Sequence, residues 1–69
     1  MIKKIKIESE FIKMDSLLKY ADMVSSGGEA KSVILDGKVK FNGQVCTMRG
    51  KKVRSGDCVE FEGSVIEIE

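Results

Sequence analysis

Six basic residues, Lys38, Lys40, Arg49, Lys51, Lys52 and Arg54, fall between Gly37 and Asp57 with no acid among them. The stretch that follows, Asp57 to Glu69, holds five acids and no base, so a formal net charge of +1 averages two opposed segments. Four of the cations lie within the six residues Arg49–Arg54. They repel one another there, and no neighbouring acid offsets their desolvation. Hydrophobic alternation and turn signals run through the basic segment, which separates it from a disordered tail. Clustered Lys and Arg on a structured scaffold is the footprint of a surface that meets phosphate. A merely solvated face would account for Arg49–Arg54 alone. Lys38 and Lys40 on the adjacent hairpin, together with Lys31, are expected to extend the loop into one cationic surface, which favours phosphate.

A second candidate is the entrance to a helix at Ser26-Gly27-Gly28. Helix N-termini present unpaired N–H groups and a partial positive charge, which suits an anion. The glycines remove side-chain bulk at that point, so a nucleic-acid backbone has room to approach. The competing explanation is a tight turn between helices, and Glu29 is electrostatically unhelpful. Catalysis is poorly supplied. The chain has no histidine and only two cysteines, Cys46 and Cys58, with no nucleophile motif and no phosphate-binding glycine fingerprint. Nothing resembles an activated nucleophile or a base poised near neutral pH. The ligand set of a zinc site is missing too. The chain is expected not to be an enzyme and to carry no metal or cofactor, with both cysteines reduced and filling space.

These side chains need a scaffold, and 69 residues suffice for one small domain, residues 1–69. A hydrophobic content of 42% is too high for a disordered chain. No apolar run approaches the about 18 residues of a membrane span, and the start lacks the features of a secretory signal. A cytoplasmic protein is the expectation.

The pattern predicts a first strand at Lys3–Glu8, with Ile5 and Ile7 on one face and Lys4 and Lys6 on the other. A helix follows with Asp15 as N-cap and Leu17, Leu18, Ala21 and Val24 at helical spacing. Ser26 and Glu29 have the spacing of a capping box for a second helix. Ala30, Val33 and Ile34 form its core stripe, Lys31 reaches solvent, and Gly37 caps the C-terminus. Asn42-Gly43 marks a two-residue hairpin turn pairing Phe41 with Gln44 and Val39 with Cys46. A second hairpin around Gly63-Ser64 is expected to pair Phe61 with Ile66 and Val59 with Ile68. Its outer face gathers Glu60, Glu62, Glu67 and Glu69, whose repulsion Lys4 and Lys6 would relieve if the first strand joins the same sheet. The exposed connection Met48–Asp57 carries the basic loop, with Val53 pointing inward and a Gly56-Asp57 turn closing it.

Taken in order, Ser26-Gly27-Gly28-Glu29-Ala30-Lys31, Ile34, Gly37, Val39, Phe41-Asn42-Gly43, Val53 and Gly56-Asp57 resemble the alpha-L RNA-binding domain. This is the module named for small-subunit ribosomal protein S-four. The resemblance spans about Met14 to Phe61 and is near ungapped. Within that family the chain is similar to the small bacterial proteins of the YaaA/YbcJ type. The resemblance implies an α+β fold with an alpha-L RNA-binding motif: two short helices packed on a small antiparallel sheet with an N-terminal strand. It also implies binding of structured RNA, ribosomal or transfer RNA, with the ribosome as a further partner, through the start of the second helix, Lys31 and the basic loop. One position departs from the family pattern: the arginine that usually follows the motif serine is Gly27 here, so the Arg49–Arg54 loop would have to substitute.

The expected RNA-binding set is thus Ser26, Gly27, Gly28, Lys31, Lys38, Lys40, Arg49, Lys51, Lys52 and Arg54. With only four aromatic residues, and Phe41 and Phe61 assigned to the core, backbone shape rather than base stacking is the expected mode. The alternative is a protein-interaction module without direct RNA contact. Duplex DNA ranks below RNA, because no long recognition helix is present.

Overall fold

Asn42-Gly43 requires positive φ at both central positions, and a computed structural model describing residues 2–69 has them at 50° and 87°. The chain runs β1 (Ile2–Ile5), β2 (Ile12–Lys13), α1 (Met14–Tyr20), α2 (Gly27–Leu35), β3 (Val39–Phe41), β4 (Gln44–Val45), β5 (Lys52–Val53), β6 (Cys58–Phe61) and β7 (Ser64–Ile68). One mixed sheet has the order β1-β7-β6-β3-β4, and β2 pairs with β5 in a separate two-stranded ladder.

The first hairpin has the expected register, with Phe41 opposite Gln44 and the Cys46 amide donating to the Val39 carbonyl. In the second, Phe61 stands opposite Ser64 and Val59 opposite Ile66. The turn is Glu62-Gly63, with φ of 51° and 79°, and not Gly63-Ser64. This differs from the expected pairing by two residues. Because side chains alternate with period two, an even slip leaves every residue on its expected face. Val59, Phe61, Ile66 and Ile68 are all buried.

The N-terminal strand joins the acidic hairpin as expected, but it is shorter than Lys3–Glu8 and runs parallel to β7. The sheet is therefore mixed and not wholly antiparallel. Lys4 stands opposite Glu67, the position from which the expected compensation would act. Lys6 lies beyond the strand, and Lys40 opposite Glu60 makes a second opposite-charge pair on the same outer face. Val65, across from Ile2, is half-buried.

Both helices lie on the inner face. Met14, Leu17, Leu18, Ala21, Val24, Ala30 and Ile34 join Ile5, Val39, Val53 and the second hairpin in one core. Burying each of the larger of these side chains contributes roughly 1.5–3 kcal/mol. Lys3 points its ammonium at the Ala21 carbonyl, 2.6 Å away, where a cation complements the end of α1. The second helix ends as anticipated. Gly37, at φ 75°, donates to the Ile34 carbonyl, and the Lys38 amide reaches back to Val33. That pair of bonds is a Schellman motif, which closes α2 and turns the chain into β3.

Candidate nucleic-acid interface

The start of the basic loop is held by backbone bonds that no residue type announces. The amides of Met14 and Asp15 donate to the carbonyls of Lys51 and Arg49 at 2.9 and 3.1 Å. The first amides of a helix have no partner inside it, and for α1 the loop provides one. Asp15 is therefore not the N-cap: Lys13 occupies that position without a side-chain bond, and the Asp15 carboxylate accepts from the Ser16 amide. Next along the chain, β2 and β5 pair antiparallel with Ile12 opposite Val53 and Lys13 opposite Lys52. Val53 is fully buried, so the loop is pinned from beneath.

The far end is closed by a side-chain clasp. The Asn42 amide nitrogen donates to the Asp57 carboxylate at 3.1 Å, and the Cys58 amide donates to the Asn42 side-chain oxygen at 2.8 Å. The other Asp57 oxygen accepts from the Arg54 amide at 2.8 Å. The Asn42-Gly43 and Gly56-Asp57 turns are thus one structural unit, and it sets where Arg54 leaves the loop.

On this frame Arg49, Lys52 and Arg54 are exposed and Lys51 is half-buried. The Lys51 ammonium sits 4.9 Å from the centre of the Phe41 ring. Lys52 and Arg54 share Phe11, at 4.9 and 6.0 Å. Such contacts are worth about 0.5–1 kcal/mol at exposed sites, so the rings partly hold a set of charges that repel. Lys13 directly opposite Lys52 adds to that repulsion. An anion bridging the two would relieve it. Sequence reasoning missed Phe11 and Lys13, because they approach the loop only through the β2–β5 ladder. It also placed Phe41 wholly in the core, whereas the ring is half-buried and reaches the loop.

The other expected residues are spread along the remaining elements. Ser26 caps α2, its hydroxyl accepting from the Glu29 amide at 3.1 Å. The Glu29 carboxylate accepts from the Ser25 amide and hydroxyl, one residue earlier than a standard capping box. Gly27 and Gly28 lie in the first turn of α2 without positive φ, and a side chain at Gly27 would meet nothing within 4 Å. The turn does not require glycine at either position. Their effect is to leave the helix entrance bare. Lys31 and Lys38 are exposed. Lys40 is exposed on the outer sheet face, opposite Glu60. Both cysteines are free and half-buried. Among the described residues, no three or more Cys, Asp or Glu side chains are grouped to hold a metal ion, and no helix is long and apolar enough to cross a membrane.

The bonds from Ser25 hold the Glu29 carboxyl below its ordinary value of 4.5. A depressed folded-state value means that this contribution is present above the unfolded value and lost as pH falls through the folded one. Glu29→Gln keeps an acceptor for Ser25 but has no charge to titrate. The variant is expected to melt slightly lower than wild type at neutral pH and to lose less on acidification below 4.5, checked by thermal denaturation across that range.

Residues 5–69 match a family model described as the S4 domain. The chain is 40% identical over 63 residues to the "probable ribosome maturation protein RlbA" of Bacillus subtilis (strain 168), covering 91% of this chain and 89% of that protein. It is 33% identical over 57 residues to YbcJ of Escherichia coli (strain K12), covering 83% and 81% respectively. The solution structure of E. coli YbcJ, described as revealing an alpha-L motif involved in RNA-binding, matches with a TM-score of 0.69 at 28% identity. That match covers 97% of this chain and 84% of the other.

Proposed function

Because the chain belongs to the S4 domain family, we propose that it is a non-catalytic cytoplasmic protein, a single domain over residues 1–69, that binds the backbone of structured RNA. The observation that carries this reading is the Arg49–Arg54 loop. Its backbone is locked to α1 and to the Asn42–Asp57 clasp, while no acid is interspersed among its cations. A rigid frame keeps Arg49, Lys51, Lys52 and Arg54 in place before RNA arrives, so little ordering entropy is lost on binding. Lys13 extends the loop surface through β2. Ser26, Gly27, Gly28 and Lys31 offer a second contact at the entrance to α2, where bare glycines admit a phosphate close to the helix amides. Lys38 and Lys40 lie at the margin, the latter tempered by Glu60. Ribosomal RNA is the first target to test, given the name of the Bacillus subtilis relative, with transfer RNA second.

Neutralising three or four phosphates predicts that log Kd changes with log salt by roughly 2–4. The dissociation constant is expected on the order of 10⁻⁴ to 10⁻⁶ M. Titration of a structured ribosomal RNA fragment at increasing salt measures both. A flat response, or no binding at any salt, would sink the phosphate mechanism and favour docking on another protein.

A further inference from the structure

Beside the basic loop, between β4 and the chain leading to Arg49, lies a cleft of about 260 Å³ walled by Phe41, Gln44, Val45, Thr47, Met48 and Lys51. We propose that this cleft receives one unpaired nucleobase of the bound RNA, so that the protein selects structured RNA carrying a bulged or looped-out nucleotide. The inference rests on the RNA-binding reading above and names the feature of the RNA that the surface would recognise.

Val45 and Met48 are 59% and 64% exposed. Single exposed apolar residues need no explanation, but these two flank one concavity with a half-buried aromatic ring between the core and the opening. Phe41, Val45 and Met48 offer a bare phosphate nothing to bond with, so part of the occupant is apolar. The rim decides between the alternatives that remain. Lys51 lines the cleft and belongs to the cationic loop, and Arg49 follows Met48 directly. The occupant must therefore combine a flat apolar body with an attached negative charge. A nucleotide does, with its phosphate on the loop and its base in the cleft.

The polar groups fit the same occupant. Gln44 carries both a donor and an acceptor and Thr47 a hydroxyl, which match the mixed edge of a base. Stacking on a side-chain platform accepts any base, because every base has a π-face. A base inside a regular A-form helix stays stacked and cannot enter. One that is already unpaired is extruded at least cost.

The test compares two RNAs: a blunt, fully paired duplex, and the same duplex with a single 2-aminopurine bulge. Wild type is expected to bind the bulged duplex about tenfold more tightly, within the range of one stacked base, and to change the 2-aminopurine fluorescence on binding. Met48→Ala and Gln44→Ala, both at exposed positions, are expected to remove most of the preference and the fluorescence change. Affinity for the paired duplex should stay as in wild type. Equal binding of the two RNAs by wild type, or a preference that both variants retain, would overturn the cleft proposal and leave backbone binding standing. Failure to bind either RNA would overturn both.

Discussion

Replacing Arg49, Lys51, Lys52 and Arg54 together by alanine is expected to weaken binding to a structured ribosomal RNA fragment by about 4- to 700-fold. The range follows from about 0.2–1 kcal/mol for each exposed charged contact, roughly 0.8–4 kcal/mol for four, at 1.4 kcal/mol per tenfold. The salt dependence should collapse with it, since each lysine or arginine removed lowers the slope by about 1. The fold should survive. The loop carbonyls that accept from Met14 and Asp15 belong to the backbone, Val53 stays buried, and the Asp57 clasp uses the Arg54 amide, which alanine also has. What is lost internally is the set of contacts to Phe11 and Phe41, about 0.5–1 kcal/mol each, partly offset by relief of repulsion with Lys13. Circular dichroism and thermal denaturation separate the two effects. A folded variant that binds like wild type would move the interface off the loop.

Asp57→Ala is expected to destabilise the protein by about 1.5–3 kcal/mol, the range for hydrogen bonds to a charged group. One carboxylate holds the Asn42 side chain and the Arg54 amide at once, and alanine satisfies neither. For a chain of this size, total stability is on the order of 3–10 kcal/mol, so the substitution removes a large share. Because Asp57 also sets the exit of Arg54, RNA affinity should fall further than the unfolded fraction explains. Asp57→Asn retains an acceptor for one of the two donors and should cost less. Chemical denaturation of both variants, with RNA binding measured under conditions where each is folded, checks the order. Asp57→Ala melting like wild type would show that the clasp contributes nothing to stability.

The family likeness was legible because its signature residues mostly perform local tasks. Ser26 caps α2, Gly37 closes it, and Asn42-Gly43 turns the first hairpin. Each depends on the dihedral preference or short reach of one or two residues, which sequence displays directly. The faces of the strands were equally legible, since alternation survives even the two-residue slip of the second hairpin. The density of positive charge from Arg49 to Arg54 needed no structure at all.

Other features became visible only in three dimensions. The loop grips α1 through the carbonyls of Arg49 and Lys51, and every residue has a carbonyl, so no residue type marks the bond in advance. That contact also explains why Asp15, a sound cap by local rules, does not serve as one. The parallel pairing of β1 with β7 joins the two ends of the chain, and the β2–β5 ladder brings Phe11 and Lys13 to residues about forty positions away. The pairing of Lys40 with Glu60 was likewise settled by the sheet, which sets the two in register. Sequence by itself determined the caps of α2, the Asn42-Gly43 turn, the inward faces and the charge of the loop, all consequences of neighbours along the chain. Tertiary structure alone decided which backbone bonds hold that loop and which aromatic rings lie beneath its cations, because those depend on packing between segments distant in sequence.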